Sequence, residues 1–194
     1  MPFSTRRLLC VALALWFAAS VRLLAASDAP RAAIDDPAHL LPANSADTAR
    51  LEEKLAAFAR TAGITIHVQF HAKSPPADED KLPGVYMHTL AAGLGLARHG
   101  VLAAYFADED DWRLWIGDEL TPLFTGKSGT VKELTKSGAI HDTKEALFAA
   151  AEAEFEKLKA TAPAGHAPLP AQRILLHTEA LLDRLTARLS PSAP

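Results

Sequence analysis

Two hydrophobic periods alternate along this chain. Ile64, Ile66, Val68 and Phe70 alternate with Thr65, His67, Gln69 and His71. That period of two predicts a strand with one face on a core and the other solvated or facing a polar cleft. Residues 100–107 are apolar at nearly every position, the pattern of a strand covered on both faces. Trp112, Leu114 and Ile116 alternate with Arg113, and Trp115 breaks the alternation. The four acids Asp108, Glu109, Asp110 and Asp111 lie between these last two segments, so they read as the turn of a hairpin.

Around the strands the period lengthens to that of helices. Leu51, Leu55, Phe58 and Ala62 form one stripe, started by Asn44 or Ser45 as N-cap and ended by Gly63. A second helix begins near Pro83, carries Tyr86, Met87 and Leu90, and fails around Gly93 and Gly95. The chain is irregular from Asp118 to Pro122, and a short helix covers 129–137. A longer helix starts at Asp142, with Glu145 three residues on, and buries Leu147, Ala151, Phe155 and Leu158. The tail 171–190 is amphipathic, with Leu175, Leu182, Leu185 and Leu189 in a heptad-like seam. Helices and strands in this order predict an α/β fold: a small mixed sheet of about 3–5 strands with helices on both sides, plus the C-terminal amphipathic helix.

The first residues follow another logic. Arg6 and Arg7 precede an apolar run from Leu8 to Ala19, with small residues beyond it. This reads as a signal peptide over 1–27; the run is short of the about 20 residues a membrane span needs. The chain is therefore expected to be exported, in the periplasm, with an uncleaved membrane anchor as the alternative. The organisation expected is a signal peptide 1–27, an α/β domain 28–160, a Pro- and Ala-rich linker 161–170 and a C-terminal helix 171–190. Removal of the leader takes Arg6, Arg7, Arg22 and the single cysteine, Cys10, and leaves an acidic chain more acidic still. Thiol chemistry is thereby excluded from the mature domain, and nucleic acid is a poor partner without a basic stripe.

The candidate chemistry is sparse. His67 and His71 are about 13 Å apart on an extended strand, too far to share one ion. Thr125-Gly126-Lys127-Ser128 matches the end of a phosphate loop, but position 121 is Thr where that loop needs Gly, so no nucleotide is expected. The acidic turn lacks the ligand spacing of a calcium loop. There is no H-E-x-x-H and no G-x-S-x-G, and no residue stands out as catalytic.

Read in order, Asp36-Pro37-Ala38-His39-Leu40-Leu41, the Leu51–Phe58 helix running through Gly63 into the Ile64 strand, and Gly100-Val101-Leu102 with its acidic turn and Gly117 resemble the TPM domain family of exported α/β domains. The resemblance covers about 34–160. It implies an envelope location and an acidic site drawn from three loops. Asp36 matches the first loop. Arg98-His99 stands at the second, and Asp118 or Glu119 is displaced by a few residues at the third. Family members are linked to divalent-metal binding, acid phosphatase activity, or the assembly and repair of membrane complexes. Two functions are therefore expected. The first is a non-catalytic interaction module for an envelope or membrane protein, using the C-terminal helix. The second is a phosphatase with a divalent cation such as calcium on Asp36, Asp118 and Glu119. The second requires those carboxylates to reach one ion at about 2.3–2.6 Å.

Overall fold

In a computed structural model, residues 32–43, 45–82, 84–160 and 170–190 are described. The leader, Cys10 and most of the expected linker lie outside them, as do Asn44 and Pro83. The chain runs β1 (Ile34–Asp35), α1 (Ala46–Ala62), β2 (Thr65–His71), α2 (Val85–Gly93), β3 (Gly100–Phe106) and β4 (Asp111–Ile116). A 3-10 turn (Asp118–Leu120), α3 (Thr121–Thr125), α4 (Val131–Lys136), α5 (Ala139–Ala160) and α6 (Pro170–Leu189) follow. The fold is a small α/β domain with a four-stranded mixed sheet.

Strand order is β1-β2-β3-β4. β1, β2 and β3 are parallel, with Val68 beside Ile34 and Ala103 beside Val68. β4 returns antiparallel, with Leu114 opposite Ala103. The central position of β3 explains its unbroken apolar run, since every residue of it is buried.

The two sheet faces are covered unequally. On the first face Ile66, Val68 and Phe70, Val101, Ala103 and Tyr105, and Trp112, Leu114 and Ile116 meet α1, α5 and α6 in one continuous core. On the second, Leu102, Ala104 and Phe106 pack against Met87 and Ala91 of α2 and Leu96 beyond it. Trp115, the exception in the β4 pattern, leans on this second cluster, and its indole donates to the Ala97 carbonyl.

Local chemistry accounts for most element ends. Ser45 caps α1 by accepting from the Asp47 and Thr48 amides, and Gly63 closes it at φ 70°. Thr130 and Glu133 form the reciprocal capping box of α4. Gly117 holds its position for space: a Cβ there would lie 2.5 Å from the Arg98 carbonyl oxygen.

β1 is not announced by the hydrophobic pattern: it pairs with Val68 and Gln69 of β2, and both oxygens of Glu52 on α1 accept from the Ala33 and Ile34 amides, each at 3.0 Å. Two expectations need correction. The segment from Asp118 to Pro122 is not irregular but coils into the 3-10 turn and α3. α5 starts at Ala139, three residues before the expected cap at Asp142. Of the two covers open to the C-terminal helix, its own domain or a partner, the structure shows its own domain: Leu175, Leu181, Leu182, Leu185 and Leu189 belong to the first-face core. Four of the five Lys, Arg, Asp and Glu side chains of α6 are also paired to other elements. Glu179 pairs with Arg50 of α1, Asp183 with Lys54 of α1, Arg184 with Glu154 of α5, and Arg173 with Asp110 of the hairpin turn.

Candidate functional site

The three acids expected at a metal site fall at opposite ends of the sheet. β1, β2 and β3 run the same way, so Asp36 follows β1 at the end where His71 and Phe106 also lie. β4 returns, so Asp118 and Glu119 follow it at the other end. There the Gly117 amide donates to the Gly100 carbonyl at 2.8 Å and the Glu119 amide to the Arg98 carbonyl at 2.9 Å. β1 and β4 are also the two opposite edges. The length of β3 alone is about 20 Å, so one ion cannot be ligated from both places.

Each acid that was singled out has a local setting instead. The two oxygens of Asp36 accept from the Leu40 and Leu41 amides at 3.0 and 2.8 Å, closing a turn in which His39 takes φ 54°. Glu119 accepts from Arg98 at 2.6 Å and lies 3.5 Å from His99 Nδ1. Asp118 is exposed on the 3-10 turn. Arg98 and His99, just before β3, thus hold the acid that follows β4. Among the described residues, no group of three or more His, Cys, Asp or Glu is arranged to hold a metal ion.

The polar chemistry that the fold does concentrate lies at the carboxyl end of the parallel strands, the end where α/β sheets commonly bind ligands. On the second face, His71 stacks on Phe106 at 5.0 Å and 15°, and the Arg113 guanidinium sits 4.7 Å from the same ring. Arg113 is held by Asp80 at 2.7 Å and Glu109 at 2.8 Å. Asp108 accepts from both the amide and the hydroxyl of Ser74. The loop after β2 is therefore pinned to the β3–β4 hairpin at two points, Asp108 in the turn and Arg113 in β4. The Gln69 Oε1 and His71 Nε2 atoms are buried here with no hydrogen bond among the described residues. Burial pushes the His71 pKa below its ordinary value, against the opposing pull of Asp35. The polar face of β2 is thus more enclosed than its alternation implied, with His67 only 4% exposed.

On the first face of the same end lies a recess of about 260 Å³ that includes Asp110, Glu152, Phe155, Arg173 and His177. Asp110 takes φ 51° at the turn, a conformation Asp tolerates better than most residues. Its carboxylate accepts from the Tyr105 hydroxyl at 2.6 Å and pairs with Arg173. Burial opposes ionisation of Asp110, but these two hydrogen bonds outweigh it and hold its pKa below the usual range. Burial and Asp110 together raise the Tyr105 pKa. His177 stacks on Phe155 at 5.1 Å and lies 3.5 Å from Glu152, yet burial lowers its pKa. The arrangement places a neutral imidazole beside carboxylates, one of which is already committed to structure. The acidic turn was a visible signal for this recess; its partner Arg173, 63 residues downstream, was not.

Thr125-Gly126-Lys127-Ser128 ends a helix instead of starting one. Gly126 is the left-handed C-cap of α3 at φ 68°, so no helix N-terminus is available there to hold a phosphate.

No family model matches the chain, and no curated protein matches it. No described helix is long and apolar enough to cross a membrane.

Proposed function

We propose that this chain is an exported, TPM-like accessory domain of the periplasm that binds a protein partner of the cell envelope and does no chemistry of its own. The observation that carries this reading is the separation of Asp36 from Asp118 and Glu119 by the length and width of the sheet. The order of the TPM-like segments supports the kinship. The proposed contact is the carboxyl end of the sheet, not α6. The apolar stripe of α6 and most of its charges already serve its own domain. Leu82 and Val85, by contrast, flank the start of α2 at 65% and 47% exposure, between Asp80, which holds Arg113, and Tyr86, whose ring lies 6.3 Å from Phe106. Two exposed aliphatic side chains so close in the chain suit a protein contact better than a solvated loop.

The experiment pairs affinity capture from an envelope fraction with a phosphatase assay. Wild-type chain is expected to retain a discrete partner that the double variant Leu82→Glu, Val85→Glu does not, while both melt at the same temperature. Hydrolysis of a generic phosphomonoester that disappears on chelation and in Asp36→Ala would overturn the reading in favour of a metal-assisted phosphatase.

A further inference from the structure

A second surface lies away from the strand ends, between α5 and α6. Here an open recess of about 390 Å³ has an apolar wall formed by Ala146, Leu147, Ala150 and Ala187. Its volume lies within the range of small-molecule sites. Lys127 and Arg188 border it. Neither has a carboxylate partner among the described residues. The Arg188 Nε donates to the Phe124 carbonyl at 2.5 Å, and Lys127 is bound only through its backbone, by Thr125. This contrasts with the rest of α6, where each other charged side chain is neutralised. Arg184, also at the recess, is engaged by Glu154. Asp142 is the one acid on the lining, so the recess carries a surplus of positive charge over an apolar wall.

We infer that this recess binds a small amphipathic carboxylate: an ionised head held by Lys127 and Arg188, with an alkyl body along the alanine and leucine wall. Charge complementarity selects the head, because two cations without a carboxylate partner among the described residues, beside one acid, favour an anion. The apolar lining selects the body, because burying an alkyl chain there removes apolar surface from water on both sides. A free phosphate or acetate satisfies only the first condition, and a long-chain alcohol only the second. The inference concerns a different surface from the proposed partner contact and stands or falls separately from it.

Calorimetric titration of the full chain with decanoate, kept below its micelle-forming concentration, tests it. Decanoate is expected to bind saturably at one site, whereas acetate and decan-1-ol bind at least about tenfold more weakly. Lys127→Glu, at an exposed side chain, is expected to weaken decanoate at least about threefold, the scale of one solvent-accessible ion pair. Ala146→Trp fills the recess from an exposed position and is expected to abolish binding without changing the circular dichroism spectrum. Equal binding of decan-1-ol, unchanged affinity in Lys127→Glu, or no saturable decanoate binding to the wild type would overturn the inference.

Discussion

The two faces of the sheet use the same three central strands in different ways. The first face is a continuous hydrocarbon layer: three apolar residues from each of β2, β3 and β4 share one core with α1, α3, α5 and α6. The second face has one short helix over β3 and β4, and its β2 third is His67, Gln69 and His71. One face is built for stability. The other mixes apolar cover with polar groups, of which the buried Gln69 Oε1 and His71 Nε2 have no hydrogen bond among the described residues, and this costs free energy that an all-apolar face would not. The difference places the proposed partner contact on the less stabilised face, where local opening is cheaper.

The contrast should be sharpest in core truncations. Leu182→Ala removes a fully buried side chain from α6 and is expected to cost about 3–5 kcal/mol in urea unfolding. A shift of that size also distinguishes a core element from an appended helix, and a loss below about 1 kcal/mol would contradict the architecture. Met87→Ala on the second face is expected to cost less, about 2 kcal/mol. Amide exchange should rise around α2 while the α1, α5 and α6 amides stay protected; a uniform rise would erase the distinction between the faces.

Tyr105→Phe is a smaller perturbation. It removes the 2.6 Å hydrogen bond to Asp110 and is expected to cost about 1 kcal/mol, and to loosen the turn without unfolding the sheet. The last comparison is one of pH. His71 and His177 have pKa values below the ordinary 6.5 in the folded chain, through burial first. The unfolded chain therefore binds more protons at and below about pH 6.5, and stability falls as pH drops through that value towards the lower folded pKa values. His71→Gln should flatten part of this slope, and His177→Gln another part. Denaturation midpoints measured between pH 7.5 and 5.5 that do not move would remove both imidazoles from the account.

The C-terminal helix shows why some of this was readable in the amino acids and some was not. Its heptad-like leucines announce a buried seam, because an apolar stripe on a helix must find cover. They do not say whether that cover is a partner or the chain's own core. That choice depended on α1 and α5, whose stripes meet the same side of the sheet. Asp36 repeats the lesson for the site. A carboxylate before a Pro-Ala-His-Leu-Leu stretch looks the same on paper whether it awaits a metal or closes a turn on the Leu40 and Leu41 amides.

Side-chain period and capping chemistry are local, acting over one to four residues. The Thr65–His71 strand, the buried β3, the acidic hairpin and the capped start of α1 were therefore settled by the sequence alone. Pairing between strands distant in sequence is not local. Only the assembled sheet could set β1, β2 and β3 parallel, with β1 at the edge opposite β4, and so carry Asp36 away from Asp118 and Glu119. The same assembly bring Arg173 to Asp110 and set Lys127 beside Arg188, because these meetings depend on how distant segments bury their apolar faces together.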